Sequence, residues 1–237
     1  MTTNFPDSLV PAHDAARLRT LHQYNIVNTT PEPIFDDYTA WAAQLFNTPI
    51  SLISLVDDEY VWFKSVTGAE GISGLPRVES MCSAAILQNE PVVTSDYKPE
   101  SCTLIKPDVA QAIGLKFYAG AALQMPDGAR VGMLAVIGRE FRQISEREKA
   151  VLARLAALVS QTIDLRARYL KGQQQEEWET AQSELADTLD ENSALARYLN
   201  SRNQGIDYED DEVAQLIGRR LDGLARVLKR RMAQVAG

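Results

Sequence analysis

Apolar and polar positions alternate with different periods along this chain, and each change of period marks an element. In "HDAARLRTLHQY" (13–24), Ala15, Leu18 and Leu21, followed by Ile26, have the spacing of an amphipathic helix. The turn "NTTPEP" ends it. "IFDDYTAWAAQLF" then places Ile34, Tyr38, Trp41 or Ala42, and Leu45 on one stripe, which predicts a second helix with Pro33 in its first turn. From 49 to 56, "PISLISLV" is a β-branched apolar run, the pattern of a strand covered on both faces. "DDE" turns into "YVWFKSV", where Tyr60, Trp62 and Lys64 are expected to face opposite to Val61, Phe63 and Ser65. These two strands are read as a hairpin.

"TGAEGISGLPRVES" is a glycine-punctuated loop whose G-x-x-G-x-x-G spacing is not a dinucleotide fingerprint. A short helix from Cys82 to Gln88 leads to a strand at 91–95. Residues 96–114 read as irregular, with one helical turn near "DVAQAI". Two strands follow, "LKFYAGAALQM" and "RVGMLAVIG", joined at the Asp-Gly hairpin signal of "PDGA". Four small residues, Ala119 to Ala122, let a backbone, a helix or a ligand come close to the first of them. Ser145 and Glu148 form a capping-box pair at the head of a long helix. Leu152, Leu155, Val159 and Thr162 give that helix a heptad-like seam, longer than one sheet needs and expected to meet a second subunit.

Beyond residue 170 the composition shifts. Seven acidic residues and no basic one lie between Glu176 and Glu191, and "RYLNSRNQG" reads as a break. "DYEDDE" then loads acid onto the start of a last helix and basic residues onto its end, complementing the helix dipole. Its stripe of Val213, Leu216, Ile217, Leu221, Leu224, Leu228 and Met232 has to be buried. The tail is thus expected to be two helices packed on each other, on the domain or on a second subunit. The element order predicts an α+β fold, an antiparallel sheet of about five to six strands flanked by helices and followed by a C-terminal helical extension. Residues 1–14 form an arm, 15–170 the domain and 171–237 the extension.

Charge and composition narrow the function. A net charge of -8 over 237 residues disfavours nonspecific binding of nucleic acid. The basic residues Arg219, Arg220, Arg226, Lys229, Arg230 and Arg231 are read as a solvated helix face. No basic-then-apolar leader opens the sequence, and no run reaches about 18 apolar residues, so a cytoplasmic protein with no membrane partner is expected. Two cysteines make no disulfide framework. With only His13 and His22, there is no HExxH, no Cys/His zinc set and no Ser-His-Asp triad, so no metal is expected.

At the level of motifs, "RLRTLHQYNIVNTTPEPIFDDYTAWAAQLFNTPISLISLVDDEYVWFKS" resembles the start of bacterial GAF domains. That pattern runs R-L-x-x-L, T-x-P-E-x-x-F-D, L-F-x-x-P-I-x-L-I-S-L-V-D and W-F-K-S. "MCSAAI", "VVTSD", "KFYAGAAL" and "GMLAVI" resemble later blocks, in order, so the resemblance spans about residues 15–170. It implies a sheet with helices on one side and a loop-roofed pocket on the other. It also implies a sensory module that often dimerises through flanking helices. Here a homodimer is expected through the first helix, the helix from Ser145 and the tail, with a downstream signalling protein as a further partner.

The resemblance leaves three readings open. The leading one is a non-enzymatic module binding an unidentified small molecule in the sheet-and-loop pocket, with Trp62, Lys64, Glu79, Cys82, Asp96 and Tyr118 as candidate ligand-binding residues and Arg77 beside them. Phe63 and Phe117 read as core. A second is a degenerate scaffold that holds a partner protein. The third is an enzyme similar to the free methionine sulfoxide reductases, using Cys82 and Cys102 as thiolate and resolving thiol; the surrounding G-R-G-V-C and F-P-G-H-I-A-C-D contexts are missing. A covalent bilin is not expected, because Ala84 stands where bilin-binding relatives carry histidine. The N-K-x-D-E motif that goes with cyclic nucleotide binding is also missing.

Overall fold

The computed structural model describes residues 10–69, 71–98, 107–203 and 205–235. Its elements are α1 (Asp14–Gln23), α2 (Pro33–Leu45), β1 (Ile50–Val56), β2 (Tyr60–Thr67), β3 (Gly74–Pro76), α3 (Met81–Ala85), β4 (Val92–Thr94), α4 (Pro107–Ile113), β5 (Phe117–Gln124), β6 (Arg130–Gly138), α5 (Glu146–Lys171), α6 (Gln175–Asn203) and α7 (Asp211–Val235). The strands pair antiparallel in the order β3-β2-β1-β6-β5-β4. This is the expected α+β fold.

β1 is buried at every position, as its unbroken apolar run requires, and pairs with β2 on one side and β6 on the other. Ile53 and Leu55 face the helical layer, while Ile50, Leu52 and Val56 face the loops. β5 alternates in the same way: Phe117, Ala119, Ala121 and Leu123 lie under the helices, and Tyr118 points to the loops. The small residues let a helix come close, since α5 lies directly against β5.

A bulge in β2 changes the expected alternation. Ile53 pairs with Ser65 and Ser54 with Phe63, so Lys64 is the extra residue. Trp62 and Lys64 face the helices while Val61 and Phe63 face the loops, as the alternation predicts. Past the bulge Ser65 joins Lys64 on the helical side, where it bonds Asp36 and Thr39 of α2.

The first helix buries a different stripe from the one its apolar residues suggest. Asp14, Arg17, Thr20 and Leu21 face inward, Ala15 is exposed and Leu18 only half-buried. Arg17 donates to Asp14 at 2.6 Å and to the Val56 carbonyl at 2.6 Å, and Arg77 donates to the same Asp14 at 2.7 Å. Pairing makes these charges tolerable inside, and it clamps α1 to the β1–β2 turn.

Ser145 and Glu148 close the expected capping box at the start of α5. The seam of Leu152, Leu155, Val159 and Thr162 is fully buried, but within this chain. The tail folds back as a second helical layer, α6 on α2 and α7 on α5. α6 runs through "RYLN", which was expected to break, because Ala196 is buried and the Asn200 amide donates to the Gln44 carbonyl of α2 at 2.6 Å. Ile217, Leu221, Leu224 and Leu228 of α7 are buried in the same core. Its basic residues stop one turn short of the helix end, where Arg230 and Arg231 pair with Glu184 of α6.

Candidate functional site

The loop-covered face of the sheet holds a small, partly open cavity of about 50 Å³. Its floor is Ile50 and Leu52 of β1, Phe63 and Val66 of β2, Tyr118 of β5 and Ile137 of β6. Met81 and Cys82 of α3, Val109 and Ile113 of α4, and Leu115 cover it. Among the described residues that line it there is no charged side chain.

Local sequence fixes its polar groups. The Ser80 hydroxyl caps α3 by accepting from the Cys82 amide at 3.2 Å, which sets the direction of the Cys82 side chain. The Cys82 sulfur then lies 3.7 Å from the Tyr118 hydroxyl. Both residues are nearly inaccessible, 4% and 2% exposed. Burial, and after it the sulfur, pushes the Tyr118 phenol well above its ordinary value. Gly120 leaves the room this hydroxyl occupies, since a Cβ there would come within 2.6 Å of it.

The structure brings together two of the six candidate residues and disperses the rest. Cys82 and Tyr118 share the cavity wall. Trp62 lies on the opposite face of the sheet, its ring 4.8 Å from that of Tyr60. Lys64 is also on the helical face, where its ammonium donates to Glu32 at 2.7 Å and to the Thr29 hydroxyl and Thr30 carbonyl at 2.8 Å. The strand alternation carries both away from the loops. Glu79 sits half-buried in the 3-10 turn Arg77–Glu79, outside the cavity wall. Asp96 is exposed after β4, 3.4 Å from the Lys98 ammonium. Arg77 is committed to Asp14. Cys102 lies outside the described residues.

Sequence reasoning missed Phe63, which lines the cavity although it reads as core. It also missed a buried ion cluster on the helical face, in which Glu32 accepts from Lys64 and, with both carboxylate oxygens at 2.8 Å, from Arg166 of α5. Burial alone would raise the Glu32 carboxyl, but the bonds from Arg166 and Lys64 outweigh it and hold it below the usual carboxylate range. Its signal was present in the sequence. Thr29, Glu32, Phe35 and Asp36 of the T-x-P-E-x-x-F-D block meet Lys64 and Ser65 of the W-F-K-S block.

Among the described residues, wider grooves open to the surface. One, of about 660 Å³, runs between α1, the end of α3 and the β5–β6 turn. Another, of about 540 Å³, lies at the foot of the sheet beside Arg139 to Arg142. Among the described residues no group of three or more His, Cys, Asp or Glu side chains is arranged to hold a metal ion. No helix among them is long and apolar enough to cross a membrane.

Comparison with known proteins gives a match to the family model for the GAF domain over residues 30–163. A cyclic di-GMP phosphodiesterase of Pseudomonas aeruginosa is 33% identical over 150 residues, 63% of this chain and 25% of that protein's length. The blue-light absorbing form of the PixJ GAF domain of Thermosynechococcus elongatus is 19% identical at a TM-score of 0.49, covering 68% of this chain and 95% of that one. The second GAF domain of DevS from Mycobacterium smegmatis is 17% identical at a TM-score of 0.47, covering 60% and 99%. The type II free methionine-R-sulfoxide reductase of Thermoplasma acidophilum is 13% identical at 0.45, covering 54% and 88%.

Proposed function

Since this chain belongs to the GAF domain family, we propose that it is a non-catalytic sensory module whose input is occupancy of the apolar cavity and whose output is the packing of α5 against α6 and α7. The ligand on this reading is a compact, uncharged, largely apolar molecule with one polar group directed at Tyr118. The observation that carries it is the wall itself: among the described residues it is apolar, with Tyr118, Cys82 and Ser80 as its polar groups. An anion buried there would have no counter-charge among the described residues, and an unpaired buried charge is strongly disfavoured. A regulatory role fits the kinship with a cyclic di-GMP phosphodiesterase of which the chain spans 25%. The cyclic dinucleotide in that protein's name does not suit this cavity, which is far below the roughly 300 Å³ of an ordinary ligand pocket. A non-catalytic role is supported by the enclosure of Cys82 and by the position of His13 and His22 at and in α1, where His22 bonds Asp57.

The scaffold reading draws on the small size of the cavity. It loses support from the tail, whose apolar stripe is spent on its own chain and is not held out to a partner. A second copy of the chain would meet α1 and the outer faces of α6 and α7, because α5 is covered on the sheet side and by both tail helices.

The test combines native mass spectrometry of freshly purified protein with amide chemical-shift titrations. Short-chain alcohols and ketones are expected to move amides at Phe63, Val66 and Leu115, and cyclic di-GMP to move none of them. Saturable binding of cyclic di-GMP at these residues would overturn the ligand class. Silence from every small molecule, with no molecule released on denaturation, would leave the scaffold.

A further inference from the structure

Phe63 and Lys64 are consecutive, yet one lines the cavity and the other is locked to the helical layer. The bulge that makes Lys64 the extra residue of β2 is a local irregularity in an otherwise regular ladder. Bulges re-aim side chains and concentrate near functional sites. Here the bulge puts Ser65 on the same side as Lys64, whose ammonium has all three of its protons taken, by Thr29, Thr30 and Glu32, and sits 5.3 Å from the centre of the Phe35 ring. It has no slack: any shift of the β2 backbone at Phe63 must be followed by the carboxylate.

That carboxylate is itself tied to α5. Arg166 grips both oxygens of Glu32 through Nε and spans the Tyr24 and Asn25 carbonyls with Nη1. One turn on, Tyr169 stands 6.3 Å from the ring of Trp178 at the start of α6. A continuous chain of direct contacts therefore runs from the cavity floor to the α5–α6 junction. Other bonds join β2 to the helical layer: Ser65 donates to Asp36 at 2.6 Å and meets Thr39 at 2.9 Å. They end on α2, whose own hydrogen bond to α5 is Tyr38 to Thr162 at 2.8 Å.

Resting on the reading of the cavity as a ligand site, we propose that Glu32 is the link through which its occupancy reaches α5, by moving as one unit with Lys64 and Arg166. Lys64 and Arg166 are positioning residues in this scheme, and neither touches the ligand.

Xenon serves as the probe, because it enters dry apolar cavities, and amide spectra of the full chain are the readout. In the wild type, xenon pressure is expected to shift amides at Phe63, Val66 and Leu115, and also at Arg166 and Trp178. Lys64→Met cuts β2 from the carboxylate but leaves the Glu32–Arg166 pair balanced. It is expected to keep the cavity shifts and reduce the distant ones at least about fivefold, the lower end of allosteric coupling. Glu32→Gln, the less stable of the two variants, should do the same. Tyr38→Phe, which removes the bond to Thr162, should keep both sets. Distant shifts that survive Lys64→Met, or that vanish equally in Tyr38→Phe, overturn the link. If xenon moves no cavity amide, the ligand-site reading fails, and Val66→Ala then supplies the perturbation. Its distant shifts must depend on Lys64 and not on the Tyr38 hydroxyl, or the link fails too.

Discussion

The hydroxyl of Tyr118 stands 3.7 Å from the sulfur of Cys82, in space that exists because residue 120 is glycine. A Cβ at that position would lie 2.6 Å from the hydroxyl and 3.0 Å from the Met133 methyl. Gly120→Ala must therefore push Tyr118 off the thiol. The expected cost is about 1–3 kcal/mol of overpacking, read from urea unfolding. In a Cys102→Ser background, the reaction of Cys82 with an aromatic disulfide reagent should accelerate at least about tenfold, as local opening becomes easier. An unchanged thiol rate would mean that Tyr118 does not guard Cys82.

The ion cluster makes its own stability prediction. Glu32→Gln leaves the Lys64 ammonium and the Arg166 guanidinium buried without their carboxylate. Stranding buried charge in this way costs about 3–5 kcal/mol. Lys64→Met keeps Arg166 paired with Glu32 but leaves the Thr29 hydroxyl and Thr30 carbonyl without their donor, and should cost about 1–3 kcal/mol. Urea midpoints should rank the two variants in that order. The reverse order would show that the ammonium, not the shared carboxylate, organises the cluster.

Much of this was legible beforehand, and the misses have physical causes. β1 could be read because a strand covered on both faces has to be apolar throughout, and the α5 cap because Ser145 and Glu148 satisfy each other within one turn. Placing Trp62 and Lys64 in the pocket failed on a question of sides. Alternation says which residues share a face, but not which face meets the loops. The charged stripe of α1 was hidden because Asp14 and Arg17 look like surface residues until Arg77, distant in sequence, closes the pair. The fate of the α7 stripe was open for a similar reason: periodicity demands a partner surface without naming it, and here the partner is α5 of the same chain.

Acid should weaken the fold through two carboxylates. Burial would raise both Asp14 and Glu32, yet bonds from Arg77 and Arg17 in one case, and from Arg166 and Lys64 in the other, bring their folded values below the ordinary range. A group depressed on folding contributes stability that is present above its unfolded value, about 3.9 for Asp and 4.3 for Glu, and lost as pH falls through the folded value. Thermal unfolding scans from pH 7 down to about pH 3 should show a progressive loss beginning near pH 5. Glu32→Gln, already destabilised, should lose less over that window than the wild type. An equal acid loss in both would remove Glu32 from the account.

The tail helix α7 is expected to be part of the core and not a mobile appendage. Ile217, Leu221, Leu224 and Leu228 are almost wholly buried, and the ion pairs Arg147–Asp211 and Arg154–Asp222 run along the edge it shares with α5. Native-state hydrogen exchange should thus protect the middle of α7 about as well as the middle of α5. Leu221→Asp puts an unpaired carboxylate into this seam, where burial is prohibitive, so α7 must leave α5. Its exchange should rise at least about a hundredfold. The uncovered surface of α5 should then pair with that of a second molecule, seen as a larger mass by light scattering. If wild-type α7 already exchanges as fast as a free helix, the covering role fails. If Leu221→Asp releases α7 and the mass stays that of the wild type, the α5 surface is not a dimer face even when bare.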